Sequence, residues 1–243
     1  MDAREFSREI SASWSLLNGT LNIGRLLVSQ RSLEVDETFR EVSLSEESTY
    51  EQIFKTGLTR SNYNILLDDY AYFQFGLFND ESWRLGYYPN PWLSGVPAAE
   101  NLVRHWEALE ELGALSHEEV SELISDMTYA GAVPPVRFEY APAQYRELAH
   151  PAAHFHIGRH DENRWPSAIT IGPKAFVLII AKLYYPEAWS RCSTYHGAAV
   201  PECIEGILTS VLGNARAVHF FSARERESFH FGKHILVVKD RHL

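Results

Sequence analysis

The chain has 243 residues, of which 45% are hydrophobic and 13% aromatic, so it can bury a sizeable core and global disorder is excluded. Its formal net charge of −10 excludes a general nucleic-acid binder, because binding to phosphate backbones needs a positive surface, but it does not exclude a local basic groove. The two cysteines, Cys192 and Cys203, cannot form a disulfide framework and lack the spacing of a zinc knuckle.

The first predicted elements are mostly helical. Residues 3–17 repeat apolar side chains at spacings of three and four, which predicts a helix with one buried face. Residues 22–28 fit a short helix or a strand equally well. Residues 36–47 are polar and are expected to form a loop with a short extended piece, and residues 48–54 favour a weak helix.

An aromatic region with period-two alternation follows, from Tyr63 to Tyr88. This alternation is typical of β-strands. Turn residues separate the apolar runs at Asp68-Asp69 and at Asn79-Asp80-Glu81. The sequence therefore predicts an antiparallel meander, which ends at Pro89 because proline cannot donate to a β-ladder.

Two helices joined by a short link are predicted next. Residues 97–112 have an apolar stripe and an acidic outer side, and Gly113 is placed to end the helix. Ser116 and Glu119 have the spacing of a capping box, which predicts that a second helix begins there. The pair is expected to form a helical hairpin that Pro134 closes.

The C-terminal part is predicted to alternate between strands and helices. Lys174–Tyr185 is apolar nearly all round, which predicts a buried helix, and Pro201–Leu212 predicts another helix with one apolar face. Val218–Phe221 and Phe229–Val238 are expected to form a terminal strand pair.

These elements predict an α+β fold with antiparallel sheet and packed helices. We expect one domain over residues 1–243, because no stretch has the composition of a linker. A candidate subdivision separates residues 1–132 from residues 133–243. The charged N-terminus lacks the apolar core of a signal peptide, and no apolar run approaches the ~20 residues that span a bilayer. A soluble cytoplasmic protein without membrane contact is therefore expected.

The densest group of chemically active side chains lies in a predicted strand hairpin. Val136–Ala141 and Ala153–Arg159 are its strands, and Ala168–Ile171 is a candidate third strand. Side chains two residues apart share one face of a strand. The apolar alternates expected to face the core are Phe138, Tyr140, Phe155 and Ile157. The opposite face then carries Arg137, Glu139, His154 and His156.

Three interpretations of this face stay open. His154 and His156 can chelate a divalent metal ion, with His150, His160, Asp161 or Glu139 as a third ligand. Alternatively, the two histidines are a metal-free acid and base that cleave a phosphodiester held by arginine. The third interpretation is a polar sheet face whose histidines bond to their neighbours or to a partner protein.

The loop between the two strands adds candidates for substrate binding. His150 and Arg146 lie in that loop, and Arg159 ends the second strand. Several well-known site motifs are absent from the sequence: there is no Walker loop, no G-x-G-x-x-G, no H-E-x-x-H and no G-x-S-x-G.

The hairpin also carries a resemblance to a known family. His150-Pro151-x-x-His154-x-His156-Ile157-Gly158, preceded by Arg137-Phe138-Glu139-Tyr140, resembles the signature of an uncharacterised bacterial domain family. Pro173–Tyr185, with the continuation Tyr-Tyr-Pro-x-x-Trp189, is similar to the helix that follows this signature. The resemblance implies a bacterial protein of a family sometimes found near mobile or antiviral defence genes. It implies no established activity and no catalytic residues.

The leading hypothesis is a histidine-dependent hydrolase, a nuclease-like effector of a bacterial antiviral defence or toxin system. Its catalytic candidates are His154, His156, Glu139 and Arg137. The alternative is a non-enzymatic subunit of a larger defence complex that binds a partner protein, or a second copy, through the polar sheet face. An acidic inhibitor that mimics nucleic acid is a third hypothesis. The aromatic content and the acidic charge suit a protein interface.

Overall fold

One antiparallel sheet organises the protein. The computed structural model describes residues 1–34, 36–94, 99–126, 133–158, 163–193, 203–220 and 222–228. Within these ranges, seven strands follow one another in the sheet in chain order, and each pairs with the next. They are β1 Gly24–Leu27, β2 Ile65–Leu67, β3 Tyr72–Asn79, β4 Ser82–Tyr88, β5 Val136–Tyr140, β6 Ala153–Ile157 and β7 Trp165–Pro166. The predicted α+β class with antiparallel sheet is confirmed.

Helices surround this sheet and join its strands. Their bounds are α1 Ala3–Trp14, α2 Glu37–Leu44, α3 Tyr50–Thr59, α4 Ala99–Glu111, α5 His117–Asp126, α6 Pro173–Tyr184, α7 Pro186–Ser193, α8 Ile204–Gly213 and α9 Ala223–Ser228. A π-helical turn, Ser15–Thr20, follows α1, and a 3-10 turn, Pro142–Gln144, follows β5. None of the helices in the described ranges is long and apolar enough to cross a membrane.

The first face of the sheet packs on α1 and α6 and makes the larger core. Alternate residues of β3, β4 and β5, among them Phe73, Leu85 and Phe138, are fully buried there. Helix α6 is apolar nearly all round, and its Phe176 packs edge-on against Phe73. The apolar side chains that alternate along the strands therefore pack against the apolar helix α6 in one core, as the sequence predicts.

The second face of the sheet divides into an apolar half and a polar half. Tyr72 and Tyr88 stack with ring centroids 5.0 Å apart and pack with Phe39 of α2 and Phe54 of α3 in a smaller core. Further along the same strands the second face carries polar residues and glycines, where α2 borders a cleft. The sheet continues from β4 to β5 through the position of the candidate subdivision, since these two strands are paired.

Two local predictions are wrong. Residues 36–47 contain helix α2 instead of a loop, because the Asp36 side chain accepts a hydrogen bond from the Phe39 N–H and Phe39 is buried. Residues 168–171 do not form the third strand that was predicted, and the short strand β7 pairs with β6 instead. The Ser167 hydroxyl donates to the Ile169 carbonyl and turns the chain, so that Ile169 bridges to Ala217 instead.

Of the predicted terminal strand pair, the structure describes only residues 218–220 of the first member. Around Val218 the described chain bonds back to Ala168 and continues as a turn before α9, so this segment is not a long strand. The second member, residues 229–238, lies outside the described residues. Val218 itself is buried in the larger core.

Candidate functional site

The paired strands β5 and β6 bring the predicted site residues onto one face. Arg137 lies opposite His156, and Glu139 lies opposite His154, in an antiparallel register. Phe138 lies opposite Phe155 on the other face. The shared face is thus confirmed, and it is the second face of the sheet, away from the larger core. Both histidine side chains are nonetheless covered, with 0% of His154 and 3% of His156 exposed.

The expected core position of Ile157 is wrong, since 44% of it is exposed. Ile157 is the last residue of β6, and Gly158 turns the chain away with a φ of 88° immediately after it. Phe138 is fully buried, whereas Tyr140 and Phe155 are half-buried. Alternation thus predicts which face a side chain points to but not how far the core extends beneath it.

The hydrogen bonds of His154 fix the position of its ring proton. Its Nδ1 lies 2.8 Å from the carbonyl oxygen of Pro151, which can only accept, so Nδ1 carries a proton and donates it. The other ring nitrogen, Nε2, lies 3.0 Å from Nε2 of His156. In the neutral ring, Nε2 of His154 therefore presents a lone pair, and His156 donates to it.

Glu139 completes the cluster from the neighbouring strand. Its carboxylate accepts a hydrogen bond from Nε of Arg84 at 2.8 Å. Burial alone would raise the pKa of Glu139, but the positive charges of Arg84 and Arg137 and the nearby histidines hold it below its ordinary value. Glu139 is consequently ionised at neutral pH and offers negative charge next to the two imidazoles.

Two of the site's histidines, His154 and His150, are held in their neutral form. Burial lowers the pKa of His154 below its ordinary value, although the Pro151 carbonyl and Glu139 act in the opposite direction. Burial and the charge of Arg164 lower the pKa of His150 as well. At neutral pH these rings are therefore bases or ligands rather than cations.

A cleft of about 510 Å³ opens over this face of the sheet. Gly76 and Gly86 are among its lining residues, and the Tyr88 ring lies close to the side-chain position of Gly86. Helix α2 and residues 33–34 form one side, and His150 lies on the side nearest the cluster. A volume of this size is within the range of small-molecule sites.

The cleft has a different charge balance from the whole chain. Among its lining residues, four arginines face three acids, whereas the chain as a whole has 22 basic and 32 acidic residues. The arginines are Arg40, Arg84, Arg137 and Arg164. The acids are Glu34, Asp36 and Glu139, of which Asp36 pairs with Arg60 at 2.6 Å and Glu139 with Arg84. The cleft is therefore suited to an anionic ligand, because arginine is the preferred partner of phosphate groups.

Of the predicted substrate-binding residues that the structure describes, His150 lines the cleft and Arg146 does not. His150 lines the cleft, and its ring packs edge-on against His154 with centroids 4.9 Å apart. Arg146 is exposed and is not among the residues that line the cleft, although its backbone bridges to His150. Arg159 lies outside the described residues, as do His160 and Asp161.

Three arginines that line the cleft, Arg40, Arg84 and Arg164, were not predicted from the sequence. Arg84 alternates with the core residues Trp83 and Leu85, so the strand pattern already places it on the polar face. Its contact with Glu139 depends on the pairing of β4 with β5, which are separated by two helices in the chain. Arg164 lies just before β7, and no periodic signal marks it.

One group among the described residues can hold a metal ion. Glu139, His154 and His156 each offer a ligand atom, and these atoms all lie within 4.8 Å of one another. His150, which the sequence offered as a third ligand, is not in that group. Of the third ligands that were open, Glu139 and His150 lie among the described residues, and between these two the structure favours Glu139.

The comparison with protein families gives a single result. The family model described as "Uncharacterized conserved protein (DUF2290)" matches residues 25–233. This chain belongs to that family. The match spans the sheet, the cleft and the histidine cluster, so these features lie within the DUF2290 domain. No curated protein and no solved structure matches the chain. The expected bacterial origin and defence association are not tested by the family description and stay predictions.

Proposed function

We propose that the protein is a histidine-dependent hydrolase of phosphate esters, and more specifically a nuclease-like effector of a bacterial antiviral defence or toxin system. One observation carries the proposal. Glu139 and His156 line a cleft that also carries four arginines, and the fully buried His154 contacts His156 just beneath that lining. Groups that activate water thus lie beside groups that bind phosphate.

The residues divide into two roles. Arg137 shares the face of the histidines and holds a phosphate oxygen, with Arg164, which lines the same cleft near His150, as a second donor. The His154, His156 and Glu139 cluster activates the attacking water. In hydrolysis the water oxygen bonds to phosphorus, the bond from phosphorus to the leaving oxygen breaks, and the two fragments take up the proton and hydroxide of the water. The cluster accepts the proton that the water loses.

The size and charge of the cleft suggest the substrate class. A volume of about 510 Å³ accommodates one or two nucleotide units better than a duplex, and the acidic charge of the whole chain disfavours long non-specific contacts. Single-stranded nucleic acid or a free nucleotide therefore fits this cleft best. The defence or toxin role rests on the resemblance of the hairpin signature, since the family description names no activity.

The test is a hydrolysis assay on labelled single-stranded RNA, single-stranded DNA, duplex DNA and a chromogenic phosphodiester, each with and without added divalent metal. We expect the wild type to cleave a single-stranded substrate. His154→Gln/His156→Gln should lose about 10²–10⁴-fold in rate, as expected when acid–base groups are removed. Arg137→Gln should lose about tenfold or more in kcat/KM, because a hydrogen bond to charged phosphate is lost.

Arg8→Gln is the matched control, because Arg8 is exposed on α1 and does not line this cleft. It should retain wild-type activity. A wild type that cleaves none of these substrates would overturn the proposal, and so would a folded double histidine variant with an unchanged rate.

A non-enzymatic role as a subunit has one observation in its favour. Trp165 lies on β7, the last strand of the sheet, and 58% of it is exposed. Exposed aromatic residues at a sheet edge are typical of protein interfaces. Stoichiometric co-purification with a second chain, lost in Trp165→Ser, together with an inactive wild type, would favour this alternative.

A further inference from the structure

The spacing of the two histidine nitrogens fits a chelate. Nε2 of His154 and Nε2 of His156 are 3.0 Å apart. Two nitrogens that bind one metal ion at about 2.1 Å and at right angles are themselves about 3.0 Å apart. A carboxylate oxygen of Glu139 lies within 4.8 Å of one ring nitrogen of each histidine. The three groups come from adjacent strands whose pairing fixes their relative position.

We propose that Glu139, His154 and His156 bind one divalent first-row transition-metal ion. Two imidazoles and one carboxylate on one side of an ion leave its other positions open for water and for a ligand oxygen. This inference deepens the proposed function, because it assigns to the same cluster the ion that would activate the attacking water. Metal binding can be tested without hydrolysis, because this inference is drawn from the positions of the ligand groups.

The surrounding contacts support these three residues as ligands. The His154 ring donates its Nδ1 proton to the Pro151 carbonyl at 2.8 Å, which leaves Nε2 as the ligand atom. Such a bond from the second ring nitrogen to a carbonyl is the usual support of a metal-bound histidine. Glu139 is oriented in turn by Arg84. The Arg84 side chain is 49% exposed, so solvent screens its repulsion of a bound cation.

His150 is the matched control for the ligand set. Its ring lies 4.9 Å from the His154 ring and lines the same cleft, but it does not belong to the group of converging ligand atoms. A variant of His150 therefore changes the same neighbourhood without removing a ligand. His150→Gln should bind the metal within about threefold of the wild type.

The experiment is isothermal titration calorimetry of untagged, chelator-treated protein with ZnCl₂ and separately with MnCl₂, with metal content measured after dialysis. We expect one ion per chain and a rise in the thermal midpoint of roughly 5–10 °C at a hundredfold excess over Kd. Glu139→Gln and His156→Gln should each weaken binding about tenfold or more. Circular dichroism of the metal-free variants checks that they fold.

The outcomes distinguish failure of the metal site from failure of the proposed hydrolase. Absence of binding to the wild type overturns the inference, and so does unchanged binding by folded Glu139→Gln and His156→Gln. Absence of binding together with hydrolysis by the same chelator-treated protein would reject the metal site while leaving the proposed hydrolase intact. One bound ion without hydrolysis of any substrate would confirm the site and reject the hydrolase.

Discussion

Replacing Tyr185 with phenylalanine tests a buried hydrogen-bond network beneath the sheet. The Tyr185 hydroxyl lies 3.0 Å and 3.2 Å from the two carboxylate oxygens of Asp69, and 2.9 Å from the hydroxyl of Tyr87. Since Tyr185 donates its only proton to Asp69, Tyr87 must donate to Tyr185. The Ser94 hydroxyl also donates to Asp69, at 2.5 Å. The direction of each bond is thus fixed.

Because of these bond directions, removing the two hydroxyls should lower the free energy of unfolding by different amounts. Tyr185→Phe removes a hydrogen bond to a carboxylate, about 1.5–3 kcal/mol, and also removes the acceptor of the buried Tyr87 hydroxyl. The expected loss in the free energy of unfolding is roughly 2–4 kcal/mol. Tyr87→Phe removes bonding between neutral hydroxyl groups, about 0.5–1.5 kcal/mol, and no bond to a carboxylate. Adding Tyr87→Phe to the Tyr185→Phe variant should cost little more, because the bond is already lost.

Urea unfolding of the wild type, the two single variants and the double variant measures these free energies. The expected coupling between the two positions is about 1 kcal/mol. A loss for Tyr185→Phe no greater than that for Tyr87→Phe would refute the assigned bond directions. Strict additivity would show that the two hydroxyls do not interact.

Three further predictions concern packing, titration and exposure. Gly57→Ala should lower the free energy of unfolding by about 1–3 kcal/mol in urea unfolding, because the added Cβ would lie 2.1 Å from the Tyr72 hydroxyl. Gly213→Ala, which meets nothing within 4 Å, should be neutral or stabilising, and an equal loss in both would refute this explanation. Burial and a hydrogen bond to a glutamate raise the pKa of Tyr70 to about 12, so its contribution to stability is present below its unfolded pKa of about 10 and is lost as the pH rises to about 12. Tyr70→Phe should flatten the fall in stability over that range, as measured by unfolding at several pH values, and an unchanged slope would contradict it. Ile157→Lys should change stability by no more than about 0.5 kcal/mol, because the residue is exposed despite its apolar pattern, and a core-sized loss would contradict that placement.

Local patterns predicted much of the fold. Period-two alternation located the meander and the histidine hairpin, and it placed Glu139 with His156 on one face. The capping box is formed: the Ser116 N–H donates to the Glu119 carboxylate at 2.7 Å, and the Ser116 hydroxyl accepts from the Glu119 N–H at 3.2 Å. These features depend only on residues close in the chain.

Long-range features could not be predicted from one sequence. Helix α2 has few apolar residues, and it forms because Phe39 finds the smaller core on the second face. The same helix borders the cleft, so the shape of the cleft depends on it. Arg84 reaches Glu139 only through the pairing of β4 with β5, which no local period encodes.

The most direct measurement is a crystal structure of the protein grown with MnCl₂ and a nucleoside monophosphate. We predict an anomalous peak between Nε2 of His154, Nε2 of His156 and the Glu139 carboxylate, with a phosphate oxygen within hydrogen-bond distance of Arg137. The two imidazoles would then bind the ion instead of each other. A direct hydrogen bond between the histidines with no metal peak, and a nucleotide bound elsewhere or not at all, would contradict both the metal site and the proposed phosphate cleft.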